Sequence, residues 1–467
     1  MSELFDFLKY CLGAKSDVNK VIAGIDWQML YSFAFKQALL GLCFDGIERL
    51  GKEYPEELKL NPIGRGLLMT WMGKAQQIRR QNVKVNGVAA KLYSKFREDG
   101  LRCCIVKGQG NALMYPNPYS RTPGDIDVWV NASREDITEY AKTHFEIGDD
   151  IRFHHLETSF DGVPVELHFF PGIMNNPIYN VRLQKWFKRN ADLQCSNVVS
   201  LPDGIGEIAI PTTAFNVVYQ LTHLYHHFFD EGIGMRQIID YYHVVCDFYK
   251  VYQKSSNPSV SLSKGSSTFS PSPSSSGSGD VTAPSRCSEP LRSKDGGPSK
   301  VSPDCAEWDR REMSGPSKVS PDCAGWDRRD AIGDIASDAS VSSAFTTDSS
   351  ASTALDVVQR ELKYLGLWKF AGAVMYVLYE VWGLPEEKMI APMDEKRGKL
   401  LLAEILNGGN FGKHFTKYGH FTQQGMAKKY FLKIWRNMHF VRYYPAEALS
   451  EPIFRTWHFF WRMKNKK

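Results

Sequence analysis

No apolar run in this chain approaches the roughly 18 residues needed to cross a bilayer, so the sequence offers no helical membrane span. The opening MSELFDFLKY carries an acid where an export leader carries bases, and no small-residue cleavage site accompanies it. It reads as the start of a helix in a cytoplasmic protein. The nine cysteines are odd in number and none forms a CxxC pair or a zinc-ligand spacing. That argues against a disulfide scaffold or zinc ribbon and leaves reduced thiols, with no disulfide partners expected. Acids are scarce at the C-terminal end, where Lys413 to Lys467 holds 12 basic and 2 acidic residues against a net charge of +5 for the whole chain. What is present is an ordinary soluble composition, 43% apolar over 467 residues, enough for two or three domains with ample core.

The segment LRCCIVKGQGNALMYPNPYSRTPGDIDVWV, Leu101 to Val130, organises the rest. An apolar run ends in Lys107-Gly108, a loop with three prolines carries Arg121, and Gly124-Asp125-Ile126-Asp127 opens a second apolar run. Carboxylates one residue apart on a strand share a face, because side-chain direction alternates with a period of two. Unpaired buried charge is costly, so something cationic is expected opposite them. A pair of divalent metals is the economical answer, since two-metal phosphoryl chemistry uses ions about 3.5–4 Å apart. Gly124 allows a phosphate to approach the backbone without meeting a Cβ.

Downstream, IRFHHLETSFDGVPVELHFF (Ile151 to Phe170) places Asp161-Gly162 between two alternating runs, a strong two-residue hairpin signal. That turn pairs Phe160 with Val163, Glu157 with Glu166 and His155 with His168. One face then carries His155, Glu157, Glu166 and His168. Opposed glutamates repel unless a metal, His or Lys lies between them, so this face should look into the site, with Glu166 as the third carboxylate.

The pattern Lys107-Gly108, Arg121, Gly124-Asp125-Ile126-Asp127 and the acid of VELHFF resembles the nucleotidyltransferase superfamily, closest to the bacterial uncharacterised nucleotidyltransferases. Lys107-Gly108-Gln109 departs from the superfamily's Gly-Ser or Gly-Gly. The resemblance implies an α+β fold: a small mixed sheet bearing the Asp-x-Asp strand, flanked by helical regions. It implies transfer of a nucleoside monophosphate from an NTP to a hydroxyl or phosphate acceptor, with release of pyrophosphate. Asp125, Asp127 and Glu166 would be catalytic and hold two Mg²⁺ or Mn²⁺ ions. Glu166 would also help deprotonate the acceptor. Lys107, Gly108, Arg121, Gly124 and His168 would bind the nucleotide, Arg121 through its planar fork. In the related group the His-rich helix and the Arg-x-x-x-Asp after it support the nucleotide pocket, which adds Arg236. Two other readings stand beside this one: a nucleotide-binding module without catalysis that serves a partner, and a toxin-like transferase acting on tRNA or protein.

The regions fall as 1–100 (helical), 101–210 (catalytic core), 211–253 (helical), 254–354 (insert) and 355–467 (helical, with a basic aromatic tail). Trp27 to Leu50 reads as one helix with Gly51 beyond it as a C-cap. His223, His226 and His227 fall at i, i+3 and i+4 in a helix, where packing or cleft-lining is favoured over a zinc site. The insert is dense in Ser, Pro and Gly and is expected to be disordered. It contains GPSKVSPDCAEWDRRE and GPSKVSPDCAGWDRRD, a direct repeat of period 18. Two copies are too few for a solenoid; tandem duplication is favoured over a binding motif around Trp308 and Trp326. In the tail, Phe431, Ile434, Trp435 and Met438 form an apolar stripe expected to face the core, leaving Lys429, Lys433 and Arg436 in solvent. Contact of Trp457 to Lys467 with a membrane surface or polyanion is the alternative.

Overall fold

The computed structural model describes residues 2–14, 17–256, 354–415 and 426–465. The insert and its repeat lie outside the described residues. The fold is α+β: helices surround a five-stranded mixed sheet and a separate two-stranded ribbon.

The N-terminal helices begin where Asp residues supply caps. After α1 (Ser2–Cys11), Asp17 accepts from the Lys20 N–H to open α2 (Val18–Gly24), and Asp26 accepts from Gln28 and Met29 to open α3 (Trp27–Lys36). The single helix expected over Trp27 to Leu50 is instead two. The chain breaks at Ala38, which adopts φ 56°, and α4 (Leu40–Glu53) starts in a new direction. The break seats α4 against the loop that carries Arg121: Thr122 Oγ1 donates to the Ala38 carbonyl at 2.8 Å. Gly51 lies within α4, which stops at Tyr54 because Pro55 begins α5 (Pro55–Leu58).

Gly41 is the tight point of this packing. A Cβ there would lie 2.2 Å from the Ser120 carbonyl oxygen, whereas one at Gly51 would meet nothing within 4 Å. Gly41→Ala is therefore expected to destabilise by at least about 1–3 kcal/mol. Gly51→Ala, a helix-interior change, is expected to stabilise by roughly 0.5–1 kcal/mol. Denaturant melts of the two variants check the contrast.

The long helix α6 (Arg65–Glu98) joins two cores. Trp71 and Ala75 belong to the helical core, while Val85, Ala89, Leu92 and Phe96 pack on the sheet. The sheet comprises β1 (Cys103–Val106), β2 (Ile126–Val130), β3 (Glu146–Ile151), β4 (His155–Phe160) and β5 (Val163–His168), in the order β1-β2-β5-β4-β3. The β2–β5 pair is parallel and the others antiparallel. Between β1 and β2 lies the short α7 (Gly108–Ala112), and between β2 and β3 lies α8 (Arg134–His144), capped by Ser133 accepting from the Asp136 N–H. Alternation then sorts β2 by face. Ile126, Val128 and Val130 join the core under α6 and α8, while Trp129 joins the helical core on the opposite face, the face that Asp127 shares.

That opposite face is covered by α9 (Pro177–Ser196) and, after the ribbon β6 (Val198–Ser200) and β7 (Glu207–Ala209), by α10 (Thr213–Asp230). Phe215 of α10 stacks on both Trp129 and Trp186, at centroid distances of 5.9 and 4.3 Å. α11 (Met235–Ser256), α12 (Ala354–Tyr364), α13 (Trp368–Trp382) and α14 (Glu395–Gly408) complete the helical core. Gly409, at φ 63°, caps α14.

The last two helices, α15 (Met426–Met438) and α16 (Pro445–Asn465), overturn the expected orientation of the tail. Lys433 and Arg436 are buried and Phe431, Trp435 and Met438 are exposed. The reason is the polar surface beneath α15. Lys433 pairs with Asp230 at 3.0 Å, Arg436 with Glu404 at 3.3 Å, and Asn437 donates to the Phe229 carbonyl at 2.9 Å. The last turn of α10 presents carbonyls and Asp230, so cations are favoured there. Arg436 also lies over the rings of Phe228, Phe415 and Phe440 at 5.0 to 5.7 Å. Apart from Phe440, these partners are all distant in sequence.

Candidate active site

The parallel β2–β5 pairing sets Asp127 directly opposite Glu166, and Asp125 lies two residues before Asp127 at the mouth of β2. Asp125, Asp127 and Glu166 each offer an oxygen within 4.8 Å of the other two. The β4–β5 hairpin has the expected register, with His155 opposite His168, Glu157 opposite Glu166 and Phe160 opposite Val163. Its turn residues Asp161 and Gly162 have φ 47° and 68°, as a type I′ turn requires. The repulsion between Glu157 and Glu166 is relieved by an imidazole. His155 Nδ1 lies 3.2 Å from Glu166 Oε2, and its Nε2 lies 3.8 Å from Glu157 Oε1.

Charge compensation at the acids comes from two side chains of the protein. Lys107 Nζ sits 2.6 Å from Asp127 Oδ1, held there by a backbone turn at φ 62° that a non-glycine residue adopts only under strain. His168 directs Nε2 at Asp127 Oδ1 (3.0 Å) and Glu166 Oε2 (3.2 Å), and its Nδ1 faces the Phe170 carbonyl at 3.3 Å. A ring with acceptors at both nitrogens donates from both, so His168 is an imidazolium. Burial alone would lower its pKa; the two carboxylates override that and hold it at about 9. Lys107 and His168 together outweigh burial at Asp127 and keep that carboxyl below its usual range. Contacts from His168 and His155 likewise hold Glu166 well below the usual range against its burial. Among the described residues no cation pairs directly with Asp125, whose residue is exposed. Desolvation of its carboxyl within the cluster, and then the charges of Asp127 and Glu166, raise it to about 7.

The raised pKa of His168 has a consequence for stability. Its contribution is fully present below its unfolded value of 6.5 and is lost as pH rises through about 9. The melting temperature is therefore expected to fall between these limits in the wild type more steeply than in His168→Gln. Parallel pH profiles of the two would contradict the imidazolium assignment.

The remaining sequence-derived residues divide. Gly108 (φ 30°) follows Lys107 in the turn after β1, and Gly124 abuts Arg236, whose Nη1 would be 3.8 Å from a Cβ at that position. Arg236 is buried, donates from Nη1 to the Thr122 carbonyl at 3.0 Å, and leaves Nε without a partner. Arg121 does not reach the acids as a phosphate fork. Its Nε and Nη2 donate to the two oxygens of Asp240 at 2.9 and 2.8 Å, and its side chain is buried. Tyr115 donates to the same Asp240 at 2.7 Å. Arg121 therefore anchors the loop between β1 and β2 to α11, and its guanidinium is not available to a nucleotide without breaking a buried pair. Asp240 and Tyr115 are the residues missed from the sequence. The only signal was the Arg236-x-x-x-Asp240 spacing, which puts both on one face of α11.

His223, His226 and His227 on α10 join a larger imidazole cluster. His154 lies 4.3 Å from His155, 5.9 Å from His168 and 6.1 Å from His226 by ring centroids. Burial lowers His226 to about 4 and His227 to about 3, so both are neutral at pH 7. An open hollow of about 610 Å³ lined by Tyr93, Arg97, Arg102 and Glu207 contains none of the three acids. Among the described residues, no helix is long and apolar enough to cross a membrane.

Residues 23–251 match the family described as uncharacterised nucleotidyltransferase. Among solved structures, the chain is similar to an antigenic nucleotidyltransferase-like protein from Paracoccidioides brasiliensis. The identity is 18%, the match covers 34% of this chain and 74% of that one, and the TM-score is 0.24. No curated protein matches the chain. The matched segment runs from the N-terminal helices through the whole sheet to α11 and contains every acid and base of the cluster above; over these residues the chain is similar to the uncharacterised nucleotidyltransferase family.

Proposed function

We propose that the protein is a metal-dependent nucleotidyltransferase that moves a nucleoside monophosphate from an NTP to a hydroxyl or phosphate acceptor and releases pyrophosphate. The observation that carries this is the convergence of Asp125, Asp127 and Glu166 within 4.8 Å on one face of a parallel strand pair. Three carboxylates beside two cations are a hard, oxygen-rich donor set, which fits Mg²⁺ or Mn²⁺. Bound there, such ions would neutralise the triphosphate and the leaving pyrophosphate.

In this reading Asp125, Asp127 and Glu166 hold the metals. Lys107 supplies fixed positive charge at the wall of the site. Arg236, beside Gly124 and with an unpartnered Nε, is the guanidinium nearest the turn where phosphate would approach. His168 keeps Asp127 and Glu166 ionised until the substrate complex forms. Because His155 and His168 hold Glu166 as a carboxylate, it is in the form that can both hold a metal and accept the proton of the acceptor. The reaction belongs in the cytoplasm, where nucleoside triphosphates are found.

Incubation with each labelled NTP, Mg²⁺ and cell extract tests the proposal. The expected result is transfer of the nucleoside monophosphate label to an acceptor with release of pyrophosphate, both dependent on Mg²⁺. Nucleotide binding without pyrophosphate release would favour a nucleotide-binding module without catalysis.

A further inference from the structure

We propose that His155, Glu166 and His168 form a site for a first-row transition metal of the Zn²⁺, Co²⁺ or Mn²⁺ class, next to the oxygen-donor site and sharing Glu166 with it. The proposal does not depend on the nucleotidyl-transfer reading. The three residues offer His155 Nδ1, Glu166 Oε2 and His168 Nε2, with the carboxylate oxygen 3.2 Å from each nitrogen. Ligands bound about 2.0–2.2 Å from one ion at right angles to each other lie roughly 3 Å apart, so these separations suit neighbouring ligands of a single cation. Two imidazoles and a carboxylate select transition metals over Mg²⁺, which prefers oxygen alone.

Packing by itself does not account for the arrangement. His155 is 3% exposed, and although its Nδ1 and Nε2 lie 3.2 and 3.8 Å from the Glu166 and Glu157 carboxylates, neither contact has hydrogen-bond geometry. Leaving a buried polar atom unsatisfied costs about 1–3 kcal/mol. The Phe170 carbonyl at His168 Nδ1 fixes that ring with Nε2 toward Glu166, the outer-shell contact that metal-binding histidines commonly have. On binding, the ion takes the position of the Nε2 proton, which leaves to solvent.

The test uses the full chain, stripped with a chelator and titrated with Co²⁺ and then Zn²⁺. The visible absorption of Co²⁺ is the readout. One equivalent of Co²⁺ is expected to bind with an absorption band characteristic of nitrogen ligands, to be displaced by Zn²⁺, and to bind at least about 10-fold more weakly in His155→Gln and His168→Gln. Asp125→Asn should retain the Co²⁺ band while losing Mg²⁺-dependent NTP binding, which separates this proposal from the functional one. Failure of the wild type to take up Co²⁺, or unchanged affinity in His155→Gln, would overturn it.

A different observation carries a second proposal. We infer that α15 and α16 dock on an anionic lipid surface. Phe431, Trp435 and Met438 on α15, and Leu449, Ile453, Phe460 and Met463 on α16, are 44–73% exposed. On each helix their spacing places them on one face. Charge complementarity identifies the occupant. Glu447 and Glu451, the acids of the two helices, are both 1% exposed, while Lys428, Arg442 and Lys464 lie in solvent. Exposed apolar side chains among bases with no exposed acid suit the interface of a negatively charged bilayer.

Sedimentation with phosphatidylglycerol-containing vesicles is expected at low salt, with loss on raising the salt. Binding to pure phosphatidylcholine vesicles should be weak. Ile453→Glu and Phe460→Glu, surface changes, are expected to reduce sedimentation at least tenfold. The proposal fails if the protein does not sediment, if the two variants sediment like the wild type, or if light scattering shows a dimer that Ile453→Glu dissociates. It also fails if RNA, and not vesicles, binds in a manner sensitive to these variants.

Discussion

Asp127→Asn is expected to reduce nucleotidyl transfer by at least about 10³-fold, on the scale of losing a principal electrostatic element of an active site, while the protein remains folded. Asp127 is 5% exposed and contacts both Lys107 and His168, at 2.6 and 3.0 Å. Asparagine preserves the shape but removes the charge on which both cations depend, and puts a weaker neutral donor into the proposed metal site. The His168 ring would then keep Glu166 as its remaining carboxylate partner, so its pKa should fall. Titration of the ring by NMR, alongside turnover, separates loss of the site from loss of the fold. Wild-type turnover in this variant would remove Asp127 from the chemistry.

Asp240→Asn is expected to cost about 3–5 kcal/mol of stability, because it strands the buried Arg121 charge. Arg121 and Asp240 are 5% exposed each, joined by two hydrogen bonds, and Tyr115 adds a third contact to the carboxylate. The surrounding charges hold Asp240 below the usual carboxylate range despite its burial. At roughly 2–4 °C per kcal/mol, or somewhat less for a fold of this size, the melting temperature should fall by about 10 °C. Replacing both partners with apolar residues, Arg121→Met with Asp240→Leu, should recover much of the loss, since an isosteric apolar pair carries no desolvation cost. A double variant no more stable than Asp240→Asn would mean that the pair does more than anchor the loop. Because the loop connects β1 to the Asp125 turn, Asp240→Asn should also lower activity at temperatures where it remains folded.

The contrast between these two positions shows where sequence is informative. The acids were legible because strand alternation, the Asp161-Gly162 turn and the spacing of Asp125 and Asp127 are local rules, and the β4–β5 register follows from the turn alone. The sequence called for a metal, His or Lys between Glu157 and Glu166, and in the structure His155 takes that place. Arg121 was misread because its partner is on a helix more than a hundred residues away, and nothing local distinguishes a phosphate fork from a buried anchor. The tail was misread for the same reason: Lys433 and Arg436 turn inward toward Asp230 and Glu404, which only the tertiary fold supplies. At Ala38 the contact with Thr122 wins over the helical periodicity of Trp27 to Leu50.

The most direct test of the account is pyrophosphate release from NTP by the full chain with Mg²⁺ and cell extract, compared among wild type, Asp125→Asn, Asp127→Asn and Glu166→Gln. The account requires release by the wild type, its loss on chelation, and its loss in all three variants while each retains a cooperative melt. Release that survives all three substitutions, or a wild type that binds NTP and never releases pyrophosphate, would contradict it.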